Sequence, residues 1–129
     1  RLQLRTGAGN QSASNYSTRD MWAYNSASGQ GLAETTAGYT LINGWSDVDS
    51  NTDYGLSGEI TIFDPFDDSM FTPVNIHSNM MAAASSHNQI VNVGIGWYTT
   101  KVAATGFRIV PSAGNMVAGT KIAVYGLKV

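Results

Sequence analysis

QIVNVGIGWYTT, residues Gln89–Thr100, decides the fold class. Val91, Val93, Ile95 and Trp97 recur at every second position, and Asn92, Gly94, Gly96 and Tyr98 fill the places between them. Successive side chains of a strand point to opposite faces, so this spacing predicts a β-strand with one apolar row and one row of small or polar residues. The apolar row, Trp97 included, is expected in the core. The two glycines opposite it take away side chains where another strand, or another chain, comes close.

The same period recurs in EITIF (Glu59–Phe63), VNIHS (Val74–Ser78), GFRIV (Gly106–Val110) and TKIAVYGL (Thr120–Leu127), and Leu2 and Leu4 begin it at the first residues. RDMWAY (Arg19–Tyr24) and YTLI (Tyr39–Ile42) are weaker strand candidates, and Gly7–Thr18 reads as a polar loop. No window of a dozen residues keeps an apolar stripe at helical spacing while free of Gly, Asn and Ser. GLAETTAGY (Gly31–Tyr39) and NMMAAASS (Asn79–Ser86) hold the best helix formers, and a short helix is open in either. Strands at this spacing without crossover helices predict an all-β, antiparallel, jelly-roll-like sandwich occupying residues 1–129 as one domain. GFRIV and TKIAVYGL are expected to close it as a hairpin that buries Phe107 with Ile109 and Ile122 with Val124, with Met116 folded back over the core.

Composition narrows the function. Of 129 residues 43% are apolar and only 12% are charged, about half the share usual for a globular domain, so Ser, Thr, Asn and Gly supply the polar surface. The net charge is −2 and the seven basic residues stand singly, which gives no stripe that would track a phosphate backbone. Nucleic acid is therefore not an expected partner. With no cysteine, disulfides, thiolate metal sites and a cysteine nucleophile are excluded. No apolar run approaches the roughly 20 residues of a membrane-crossing helix, and no membrane partner is expected. The opening RLQLRT has neither an initiator Met nor a signal peptide's pattern, which suggests a processed or partial chain.

FRIVPSAGNMVAGTKIAVYGLK resembles the closing strand, turn and strand of β-domains at the C-terminal ends of tailed-bacteriophage virion proteins. The residues that carry the resemblance are Phe107, Ile109, Ser112, Gly114, Asn115, Met116, Gly119, Thr120, Ile122, Val124, Tyr125, Gly126 and Leu127, with Ala113 as an insertion. LQLRTG (Leu2–Gly7), the tyrosine-rich stretch from Tyr16 to Tyr24 and LSGEITIFDP (Leu56–Pro65) resemble further parts of the same pattern. The resemblance implies a structural role in a virion, as tail fibre, head fibre or decoration protein, commonly as a homo-oligomer. Such domains carry further strands before the segment matching LQLRTG, so either a preceding part or another subunit is expected to complete the sheet.

Motifs that could carry chemistry are few. Asp47, Asp49, Asn51 and Asp53 alternate as calcium-loop ligands do, but Thr52 stands where the loop needs Gly, and Gly58 where it needs a bidentate Glu. A solvated turn is the favoured reading, with calcium as the alternative and no cofactor expected. His77 and His87 are ten residues apart and make no metal pair; His77 is expected on the exposed row of its strand, and His87 in a turn. FDPFDD places Asp64, Asp67 and Asp68 around Pro65, which reads as a loop tip. A sugar-cleaving enzyme would need two such carboxylates facing each other across a substrate. Trp45, Tyr98 and Phe66 are the candidate surface aromatics for a subunit interface or a host glycan. These readings lead to a non-enzymatic virion protein whose partners are identical subunits and neighbouring virion proteins. The alternative is a receptor- or glycan-binding module of an adhesion device.

Overall fold

A computed structural model describes residues 1–11, 15–24, 27–30, 34–37, 55–82, 88–111, 114–116 and 118–126. The described residues form nine strands and no helix: β1 (Leu2–Thr6), β2 (Gly9–Asn10), β3 (Tyr16–Tyr24), β4 (Ala27–Gln30), β5 (Glu34–Ala37), β6 (Leu56–Ile62), β7 (Thr72–Ala82), β8 (Asn88–Tyr98) and β9 (Gly106–Ile109). All pairings are antiparallel. A small sheet has the order β2-β1-β9, and a large one the order β4-β3-β8-β7-β6, with β5 pairing β3 alongside β4. The two pack face to face as a sandwich: Leu2 of β1 lies against Val74 and Ile76 of β7, and Leu4 joins Tyr16, Tyr98 and Ala104.

The register sets which row is inside. β7 places Val74 beside Gly96, Ile76 beside Gly94 and Met80 beside Ile90. Its apolar row therefore shares a face with the small residues of β8, and the branched side chains of β7 stand next to positions where β8 has none. This face receives Leu2 and Leu4 from the small sheet. The expected orientation of β8 is thus inverted. Asn92, Gly94, Gly96 and Tyr98 point inward, while Val91, Val93, Ile95 and Trp97, expected in the core, face outward at 40–52% exposure. A strand's own alternation gives two rows; the facing sheet decides which one is covered. Gly94 is close-packed within its own chain, since a Cβ there would stand 3.4 Å from the Arg19 carbonyl oxygen and 3.5 Å from the Asp20 Cβ.

A polar knot joins the two sheets at the buried tyrosines. The Tyr16 hydroxyl accepts from the Leu4 N–H (2.8 Å) and donates to the Gln11 carbonyl (3.0 Å), and the Tyr98 hydroxyl donates to Gln11 Oε1 (3.0 Å). Gln11 Nε2 donates in turn to Thr6 Oγ1 (2.8 Å). The rings of Tyr16 and Tyr98 meet with centroids 5.0 Å apart at 45°. One glutamine thus accepts from two phenols whose O–H donors the core would otherwise leave without an acceptor. Gly9, at φ 101°, closes the turn that sets Gln11 in place, a conformation open to glycine and strained for other residues.

Within Gly31–Tyr39, where a short helix was open, Glu34–Ala37 forms a strand, β5, which takes its hydrogen bonds from pairing with β3. Two further expectations are corrected. Gly7–Thr18 is not wholly loop, since β2 and the start of β3 lie within it. The closing hairpin is absent among the described residues. β9 pairs with β1, and Lys121–Gly126 runs outside any strand with Ile122, Val124 and Tyr125 at 54%, 67% and 89% exposure. Alternation makes a segment competent to pair, and it becomes a strand only when an edge is opposite. Met116 is likewise exposed and covers no core. YTLI and the end of NMMAAASS lie outside the described residues.

Candidate functional site

The outer face of the large sheet carries a row of exposed apolar side chains. Its centre is the β8 row Val91, Val93, Ile95 and Trp97, flanked on β3 by Met21 at 60% exposure. Met21 lies beside Val93 and Arg19 beside Ile95, while on the other side Asn75, His77 and Asn79 of β7 border the row. Glu59 of β6 stands beside His77. The surface is an apolar stripe with a cationic edge on β3 and an anionic edge on β6. His77 lies exposed on the row expected for it, at the border of a shallow, open depression of about 430 Å³ lined by Glu59, Asn79, Val91 and Val93. Nothing in that depression arranges a nucleophile beside a base, and its mouth is too open to exclude water.

The β6–β7 connection forms a tip at one end of the sheet. Asp64 takes a left-handed φ of 41°, which Asp tolerates better than most residues, and the Asp67 N–H donates to its carbonyl (3.1 Å). Asp67 Oδ1 accepts from the Ser69 N–H (2.7 Å) and the Ser69 hydroxyl (2.6 Å), and these bonds hold its carboxyl below the usual range. The carboxylate of Asp67 is thereby engaged within the turn. Phe66 projects from the tip at 74% exposure, with Phe63, Met70 and Phe71 also exposed nearby in sequence. The Lys101 ammonium stands 6.0 Å from the centre of the Phe71 ring. Of the surface aromatics named from sequence, Phe66 is exposed. Tyr98 is not, for it is fully buried by the small sheet.

Trp45, His87 and the alternating Asp47, Asp49, Asn51 and Asp53 lie outside the described residues. Among the described residues no group of three His, Cys, Asp or Glu side chains is placed to hold a metal ion. Beside its apolar clusters, which include Met80 with Ile90, the inner face buries polar side chains, with Thr18 and Asn92 each at 2% exposure. Neither Nδ2 nor Oδ1 of the Asn92 side chain has a hydrogen-bond partner among the described residues. The outward stripe escaped the sequence reading because its residue types are those of a core. The signal that could have exposed it was the match in period between Val74-x-Ile76 and the glycines of β8, read as neighbours on one face.

Comparison with known proteins gives no relative: no family model, no curated protein and no solved structure matches this chain.

Proposed function

We propose that this chain is a non-enzymatic structural module of a tailed-phage virion, built to assemble with identical copies and neighbouring virion proteins. The observation that carries the proposal is the outward stripe of Val91, Val93, Ile95 and Trp97 on a sandwich with a separate core of its own. A contiguous apolar row at the centre of a sheet face, bordered by polar residues, is the anatomy of an interface. The resemblance of the closing segment to phage virion β-domains supplies the setting, and the scarcity of charge fits a surface meant to be covered. Size-exclusion chromatography with light scattering tests assembly. The expected result is an oligomer at micromolar concentration; a stable monomer without affinity for virion proteins overturns the proposal.

The exposed tip favours a second reading, attachment to a host-surface glycan. Phe66 offers an aromatic plane at the end of the β6–β7 hairpin, the kind of group on which a sugar ring stacks. If this reading holds, Phe66→Ala lowers binding on a glycan array or adsorption to host cells by about tenfold without changing the melting temperature. Equal binding by the variant removes it.

A further inference from the structure

We infer that the outer face of the large sheet is a self-complementary interface, on which a second copy of this chain packs face to face. The inference rests on the assembly reading and names the surface and symmetry that it would use. On this face Arg19 lies on β3, one strand to one side of the apolar stripe, and Glu59 lies on β6, two strands to the other side. Three strand spacings separate β3 from β6, about 14 Å, so the two side chains do not meet within one copy. A two-fold axis running along the stripe lays β8 over β8 and each β3 over its partner's β7, so that Arg19 comes to within one strand spacing, about 5 Å, and one outward level of the partner's Glu59, a gap that an arginine side chain spans. Apolar residues then meet apolar residues while opposite charges on neighbouring strands come within side-chain reach twice, the self-matching that an isologous contact requires.

The dimensions suit this contact. Four strands at about 4.8 Å spacing, over the four outward levels from Trp97 to Val91, make a flat footprint of roughly 500 Å² per copy. The relief of the side chains raises the accessible area towards the ~800 Å² per partner of an ordinary specific interface. Sheets packed in this way keep their strands within about 30° of alignment and interdigitate their side chains, which suits the branched row of β8.

Sedimentation equilibrium on the full chain tests the inference. Val93→Glu puts a charge in the centre of the stripe, and the dimer dissociation constant should rise at least a hundredfold, with the circular dichroism of the folded chain retained. Because such a variant can also harm folding, a charge-exchange cycle accompanies it. Arg19→Glu and Glu59→Arg alone each weaken association by about tenfold, and the double variant restores it; restoration requires contact between copies, since one copy holds the two residues apart. An oligomer that tolerates Val93→Glu and shows no restoration overturns this interface and leaves the assembly reading standing. A wild-type monomer at all concentrations overturns this interface, and overturns the assembly reading as well if it also lacks affinity for virion proteins.

Discussion

Tyr98→Ala is expected to lower stability by about 4 kcal/mol in urea unfolding, while its neighbour Trp97→Ala changes the stability of the isolated chain by less than about 1 kcal/mol. The contrast follows from the face each residue takes. Tyr98 lies wholly between the sheets against Tyr16, Leu4 and Ala104, and its removal leaves a cavity and strips Gln11 Oε1 of a donor. Trp97, the larger residue, is 41% exposed on the outer face, so truncation takes away half-solvated surface and opens no void. Measurements at low protein concentration keep any association out of the comparison. Equal costs, or a larger cost at Trp97, would show that β8 presents its other row to the core.

The alkaline stability of the chain should depend on Tyr16. Burial pushes its phenol from the ordinary value of 10.0 up to about 12, only partly offset by the hydrogen bond from the Leu4 N–H. The folded value lies above the unfolded one, so the contribution is complete below pH 10. Above that, the unfolded chain releases its proton while the folded chain retains it, and stability falls until the folded phenol ionises near pH 12. The loss across this window is on the order of 2 kcal/mol. Tyr16→Phe is less stable at neutral pH by about 1–2 kcal/mol, because the Leu4 N–H and Gln11 carbonyl lose their partner. It should also show a shallower decline between pH 10 and 12 than the wild type. Parallel declines in the two proteins would place the titrating group elsewhere.

Much of the strand content was legible because period two is a local property. VNIHS lies wholly in a strand of the sandwich, EITIF up to Ile62 and QIVNVGIGWYTT up to Tyr98 do so too, and Leu2 and Leu4 lie in β1. What depends on distant neighbours was not legible. The inner row of β8 is Ile90, Asn92, Gly94, Gly96 and Tyr98, poorer in apolar bulk than the outer row, and it is inward because Val74 and Ile76 lie beside it and Leu2 and Leu4 lie opposite. The knot at Gln11 was invisible for the same reason, since it joins residues as far apart as Gln11 and Tyr98. TKIAVYGL reads as a strand by every local rule and makes none among the described residues, because neither sheet places an edge against it. For the candidate site, the fold gives the sequence's apolar row a new role: residues expected as packing form the surface on which the functional proposal stands.

The register of the small sheet bears on how the molecule answers to pulling. Leu2 at the start of β1 pairs with Ile109 at the end of β9, and the Val110 N–H bonds to the Arg1 carbonyl. The chain thus enters and leaves this ladder at the same end. Tension applied at Arg1 and beyond Val110 loads the hydrogen bonds one after another, as a zip opens, instead of sharing the load among them as a sheared pair does. A dimer of such units would resist stretching poorly if the strain ran along the polypeptide, and well if it crossed from copy to copy through the broad sheet face.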